Sequence, residues 1–263
     1  MTEPRRRSNV FGEAADEYDA VRPDYPCALV ADLLGGAGPG PVLEVGAGTG
    51  KATAAFAAHR VDLVCLEPDA RMAAVLERRA FPGVRVVVDQ FENWPPDRGY
   101  GLVFSAQAWH WVDRAERNDR AWAALAPGGL LGLFWNAFFI ADPGIYRALH
   151  EIDRRYWPEL EETMNQWQSP LRPAEAQSFA EEWAELDLHD DPRFTDLRSR
   201  NYPRQLRYSA TDYARFQSTT SLFRMLEPDR LETIRAEAVA AIEARGGTVD
   251  IRAECHLATA RRL

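Results

Sequence analysis

The chain has 263 residues, 46% hydrophobic and 27% charged, the balance of a globular protein with a sizeable core. Its formal net charge of −9 opposes a nucleic-acid partner, because phosphate binding needs a basic surface, and its longest apolar run, Gly128 to Ala141, is too short to cross a bilayer as a helix. The cysteines Cys27, Cys65 and Cys255 lie far apart and form no CxxC pair, and no histidine spacing matches a zinc site.

At the N-terminus, Arg5, Arg6 and Arg7 are followed by the polar, acidic stretch Ser8 to Asp19 rather than by the apolar core of a signal peptide, so a cytoplasmic location is expected. Lys51 is the single lysine. Phe11, Ala15 and Tyr18 are spaced four and three apart and share one face of a helix. That helix ends near Arg22-Pro23, where Arg22 is in reach of Asp19.

From residue 41 onward, short apolar runs alternate with helical stretches, the pattern of βαβ units and a parallel sheet. Pro41 to Val45 reads as the first strand and Thr49 to Arg60 as a helix. Val61 to Leu66 is the second strand, with Cys65 as a small buried hydrophobe, and Ala70 to Arg79 the second helix, with Asp69 as its N-cap. Val84 to Val88 is a β-branched run interrupted only by Arg85, and it is read as a strand buried on both faces. Tyr100 to Ser105 is a fourth strand. Arg114 to Leu125 is a helix stopped by Pro127-Gly128-Gly129, and Leu130 to Trp135 a fifth strand.

The rhythm then changes. Tyr146 to Trp157 and Pro173 to Leu186 read as helices, and the stretch Ile140 to Asp191 as an insertion over the sheet's carboxyl edge. Phe194 to Tyr208 reads as a strand broken at Pro203. Asp212 to Leu222 and Asp229 to Arg245 read as helices. After the break at Gly246-Gly247, Thr248 to Ala260 is a last strand that can pair antiparallel with an earlier one.

The segment Val42-Leu43-Glu44-Val45-Gly46-Ala47-Gly48-Thr49-Gly50 carries the most chemistry. It runs from a strand through a glycine-rich turn into a helix, where backbone can approach a ligand closely. A phosphate-binding G-x-x-x-x-G-K-[ST] loop fails, because Val45 replaces its first glycine and Ala52 its Ser or Thr. A dinucleotide G-x-G-x-x-G is weakened by Lys51 at its third position. E/D-x-G-x-G-x-G is satisfied by Glu44, Gly46, Gly48 and Gly50. Glu67 ends the second strand seventeen positions after Gly50, where a carboxylate can accept from both hydroxyls of a ribose.

These residues resemble motif I of the class I S-adenosylmethionine-dependent methyltransferases. Phe11 to Pro26 resembles the F-x-x-x-A-x-x-Y-D-x-x-R-P-x-Y-P segment of their small-molecule, trans-aconitate methyltransferase-like group. Three further stretches are similar to family segments: Asp89 to Pro95, Ser105 to Trp111 and Leu125 to Leu131. The resemblance spans Phe11 to Trp135, about half of the chain. It implies a Rossmann-like, doubly wound α/β fold with a mostly parallel seven-stranded sheet and a helical cap insertion. The whole chain, 1–263, reads as one domain: a cofactor-covering segment at 1–40, a cofactor-binding core at 41–136, the cap at 140–191 and sheet-completing elements at 192–263.

The implied cofactor is S-adenosyl-L-methionine. The family roles carried over place Glu44 at the cofactor's ammonium group, Gly46, Ala47, Gly48 and Gly50 beside its methionine part, and Glu67 with Pro68 at the ribose. Met72 stands either against the adenine or in the helix core. Gln90 takes the place of the adenine-contacting acid, with Asp89 the alternative one register away, and Phe91 offers its backbone N–H to the ring. Ser105, Ala106 and Gln107 run along the cofactor by their backbone, and Tyr18 and Arg22 lie near it. His110 is either a general base or a packing and capping residue. Trp135 and Asn136 are candidate substrate contacts. The implied activity is methyl transfer to an oxygen or nitrogen of a small molecule, a carboxylate included, by a monomer or homodimer with no metal. An NAD-linked oxidoreductase and a non-catalytic binding protein are the competing readings.

Overall fold

The computed structural model describes residues 10–157 and 186–263. They contribute to two compact units. The larger takes residues 23–136, 186–202 and 255–263, and the smaller takes 10–22, 137–157 and 203–254.

One seven-stranded sheet runs in the order β3-β2-β1-β4-β5-β7-β6. Its strands are β1 Val42–Val45, β2 Leu63–Leu66, β3 Val84–Val87, β4 Tyr100–Ala106, β5 Leu125–Ile140, β6 Phe194–Ser209 and β7 Thr248–Arg262. β1 to β5 pair in parallel, with Val42 opposite both Leu63 and Leu102 and Val103 opposite Leu131. β7 is antiparallel, which makes the sheet mixed. The chain winds outward from β1 to β3 and then returns to β4 on the other side of β1. The carboxyl ends of β1 and β4 therefore flank the switch point at which open α/β sheets bind ligands.

In the larger unit, helices cover both faces of the parallel strands, and so every residue of β1, β2 and β4 is buried. Along β1 the side chains alternate between two cores. Val42 joins Leu29 and Leu33 of α2 (Cys27–Gly36) and Phe56 of α3 (Lys51–Ala57). Leu43 and Val45 join Ala121 and Ala124 of α5 (Arg117–Ala124). Phe56 stacks on Phe104 with ring centroids 4.0 Å apart, which fixes α3 over β4. α4 (Ala70–Arg78) follows β2, and the Asp69 carboxylate caps it by accepting the Arg71 backbone N–H, as expected.

The structure corrects several expectations. β3 is not buried on both faces: it is the outermost strand, its valines are only partly buried, and Val88 beyond it is 51% exposed. Pro127-Gly128-Gly129 does not separate helix from strand. α5 ends at Ala124, β5 starts at Leu125, and the register shifts between Tyr100 opposite Leu125 and Leu102 opposite Leu130. The four residues 126–129 form a bulge there, with Gly128 at φ +73°. β6 is unbroken at Pro203, because as the other outermost strand it tolerates a residue with no N–H to give.

The smaller unit holds α1 (Ala15–Val21), α6 (Pro143–Tyr156), α7 (Ala210–Ser218), α8 (Ser221–Arg224) and α9 (Pro228–Glu243). Val21, Ile145, Leu149, Phe216, Ala238 and Ile242 form its core. The helix expected over 212–222 is two helices, since Thr220 adopts an extended conformation and becomes the N-cap of α8. Asp153 of α6 is 3% exposed and accepts both its hydrogen bonds from the Gln217 amide of α7. Burial pushes its carboxyl up to about 7, against the pull of that amide. The helix expected over 173–186 lies outside the described residues except for Leu186. Among the described residues no helix is long and apolar enough to cross a membrane, and no cluster of potential ligands suits a metal ion.

Candidate functional site

The turn between β1 and α3 stands at the switch point, and its shape follows from its glycines. Gly46 has φ +74°, and a Cβ built on it would lie 2.3 Å from the Cβ of Ala108, in the segment after β4. Only glycine lets these two segments meet. Gly50 is the N-cap of α3.

Glu67, just past β2, ties this turn down. Its Oε2 accepts the Gly48 backbone N–H at 2.7 Å and its Oε1 accepts the Asp69 backbone N–H at 2.9 Å. The side chain is 7% exposed, and burial lifts its carboxyl to about 7 although both N–H groups favour the charged form. A carboxylate has about four lone-pair positions, so each oxygen keeps capacity for one further donor. Two vicinal hydroxyls match that capacity.

Glu44 points from β1 under α3. Its Oε2 accepts from the Thr53 hydroxyl at 2.6 Å and from the Cys65 thiol at 3.4 Å. Its Oε1 is buried without a hydrogen-bond partner among the described residues, as is Oγ1 of Thr49 in the turn itself. Burial raises the Glu44 carboxyl to about 7, opposed by Thr53 and Cys65 and reinforced by the nearby Glu67. An orphaned carboxylate oxygen and an orphaned hydroxyl beside a glycine turn suit a ligand that brings hydrogen-bond donors and positive charge. Cys65 is thus more than the small hydrophobe expected, since it also contacts this carboxyl.

The other residues singled out in this unit fall into groups. Pro68 is exposed, whereas Met72 is 4% exposed, and its methyl would sit 3.6 Å from a Cβ on Gly48. Met72 is therefore both core and floor of the turn. Gln90 is exposed and its amide oxygen accepts from Asn93, while Asp89 accepts the Gln90 backbone N–H. The Phe91 side chain is buried beside Trp109 at a centroid distance of 6.0 Å. Ser105 donates to the Val45 carbonyl at 2.8 Å, linking the ends of β1 and β4. Ala106 closes β4, Gln107 follows at φ +61°, and Asn136 is buried on β5. Trp135 packs against the second core.

His110 lies on a 3-10 turn, Trp109–Trp111, exposed, with its ring 4.5 Å from that of Trp111. It does not cap α5, whose N-cap is Glu116. In the smaller unit, Arg22 does not pair with Asp19. Its guanidinium stands over the rings of Tyr18 at 5.0 Å and Phe216 at 4.9 Å, and its Nε donates to Thr219 at 2.9 Å. Thr53, Phe216 and Thr219 were not anticipated. A hydroxyl in the first turn of α3 was the one legible hint for Thr53.

Residues 42–129 match the family model described as a methyltransferase domain. An uncharacterised methyltransferase of Mycobacterium tuberculosis is 40% identical over 138 residues, which cover 52% of this chain and 56% of that protein. The chain thus spans about half the length of the curated relatives it matches. Among solved structures, a candidate type II methyltransferase from Anaeromyxobacter dehalogenans is similar with a TM-score of 0.60 at 22% identity, covering 91% of this chain and 97% of that one. A phosphoethanolamine N-methyltransferase from Haemonchus contortus, solved with S-adenosylhomocysteine, has a TM-score of 0.53 at 12% identity, covering all of this chain and 61% of that one.

Proposed function

We propose that this chain, whose residues 42–129 match a methyltransferase-domain model and whose seven-stranded sheet has the class I order, binds S-adenosylmethionine and methylates an oxygen or nitrogen of a small molecule. The observation that carries the reading is the pair of buried carboxyls at the glycine turn. Glu67 keeps acceptor capacity for a ribose after holding Gly48 and Asp69, and Glu44 keeps for an ammonium group an oxygen that has no partner among the described residues.

When bound, the cofactor supplies a methyl group already activated on a sulfonium. The protein's part is then to bind, orient and exclude water. Gly46, Ala47, Gly48 and Gly50 offer close backbone approach, and Met72 supports the turn from below. Gln90 and Phe91 serve the adenine, and the backbone of Ser105 to Gln107 lines the end of β4. Trp135 and Asn136 are substrate contacts in this reading. Tyr18 and Arg22 belong to the smaller unit, and their assignment to the cofactor rests on the sequence pattern around Phe11 to Pro26. That pattern also supports membership of the trans-aconitate methyltransferase-like group.

Titration calorimetry with S-adenosylmethionine, S-adenosylhomocysteine and NAD tests this. Heat from the two sulfur compounds and none from NAD is expected, and the reverse overturns the reading. Transfer of label from methyl-tritiated cofactor to a metabolite panel then separates an enzyme from a non-catalytic binder.

A further inference from the structure

Gln107 is left-handed at φ +61° although it is not glycine, a conformation that L side chains rarely adopt. Such strain persists only where the surroundings over-determine it. Three contacts do so here. The Gln107 backbone N–H donates to the Phe134 carbonyl at 2.9 Å, its side-chain Nε2 donates to the Asn136 carbonyl at 3.3 Å, and the next residue, Ala108, abuts Gly46. The site of strain is therefore the carboxyl end of β4, beside the glycine turn.

The contact with Asn136 also fixes which way the amide faces. A backbone carbonyl only accepts, so the NH2 group must point to it, and Oε1 points away. Oε1 accepts no hydrogen bond among the described residues, and Gln107 is only half-buried. The result is a neutral acceptor held in one orientation at the carboxyl end of β4.

We propose that Gln107 faces the transferred methyl group and that its Oε1 accepts an N–H from the nucleophile, so that the methyl acceptor is an amine. The proposal rests on the cofactor reading above and narrows it. A carboxylate would bring oxygen against oxygen with no proton between them. A hydroxyl would have to surrender the one proton that holds it, and an amide is no base. A neutral amine keeps its N–H on Oε1 while its lone pair forms the bond to the methyl carbon. The carbon–sulfur bond breaks with its electron pair left on sulfur, and the resulting ammonium releases its proton to water.

Sinefungin tests this without a known substrate, because it carries an amine at the position of the transferred methyl group. Its affinity and that of S-adenosylhomocysteine are measured by calorimetry for the wild type and for Gln107→Met, which keeps the length of the side chain and removes both the acceptor and the Nε2 contact with the Asn136 carbonyl. Any loss of the Asn136 contact weakens both ligands alike, so Gln107→Met is expected to lose about tenfold or more in sinefungin affinity beyond whatever it loses for S-adenosylhomocysteine, as for a hydrogen bond to a charged donor. Unchanged sinefungin affinity overturns the proposal. An equal loss for both ligands also overturns it and makes Gln107 a structural support of the turn. If the wild type binds neither, the cofactor reading itself falls and this proposal with it.

Discussion

The Glu67 carboxylate accepts the Gly48 backbone N–H at 2.7 Å, joining residues nineteen apart in sequence. The end of β2 thereby dictates the path of the turn after β1. Asp69, held by the other oxygen, caps α4, so one buried side chain sets the turn and the start of the next helix.

Glu67→Ala removes that tie and the acceptors assigned to the ribose. Cofactor affinity is expected to fall by about 1.5–3 kcal/mol, the range for hydrogen bonds to a charged group. Calorimetry with S-adenosylhomocysteine reads the loss directly. Unchanged affinity in a folded variant moves the ribose contact to another residue.

Glu44 gives a pH dependence whose sign can be worked out. Burial raises its carboxyl from the ordinary 4.5 to about 7, so the folded state holds the proton more tightly than the unfolded state does. Stability of the ligand-free protein must then fall as pH rises from about 4.5 to 7, since over that window the folded state binds more protons. A shift of this size is worth about 3 kcal/mol. Glu67 and Asp153 act in the same direction. Glu44→Gln is expected to flatten the decline of melting temperature between pH 5 and 8. A variant that follows the wild-type slope would show that Glu44 is ionised without penalty.

The strand-turn-helix of motif I, the cap at Asp69 and the run of parallel strands were legible because each depends on neighbours in sequence. Sequence and structure part where position in the sheet decides the outcome. Val84 to Val88 has the valine content of a central strand, yet it lies at the edge, and the exposed Arg85 is the one local sign of that position. Pro127-Gly128-Gly129 has the composition of a helix stop, yet the pairing of Tyr100 with Leu125 carries the strand through it. The same holds for the site. Glu44 was found from its spacing to the glycines, but Thr53 and Cys65, which satisfy one of its oxygens, come from a helix and a neighbouring strand.

Gly46 and Gly48 provide an internal comparison. Both have positive φ, but a Cβ at Gly46 collides with Ala108 at 2.3 Å, whereas at Gly48 it meets only the Met72 methyl at 3.6 Å. Gly48→Ala is expected to cost about 1–2 kcal/mol for the left-handed backbone alone. Gly46→Ala adds the overpacking penalty and should cost about 2–5 kcal/mol. Denaturant unfolding of the two variants checks the order. Equal costs would mean that the segment after β4 gives way freely.

His110 is the remaining question about catalysis. A general base contributes about 10²–10⁴-fold to a rate and must be held against the proton it removes. His110 is exposed on a short 3-10 turn and its ring lies beside Trp111, which is not the confined setting of a base. Its exposure also changes what a packing role would predict, because surface substitutions usually stay within about 0.5 kcal/mol. His110→Ala is therefore expected to keep turnover within about threefold of wild type, with the same cofactor affinity and nearly the same melting temperature. All three are measured on one preparation, using an acceptor found with labelled cofactor. The pH profile of turnover adds an independent readout: a base near neutrality gives a limb that vanishes in the variant, whereas an amine acceptor gives a limb that follows the amine and survives. A hundredfold loss of turnover together with loss of that limb would restore His110 as the base, and would favour an acceptor that must surrender its proton, such as a hydroxyl.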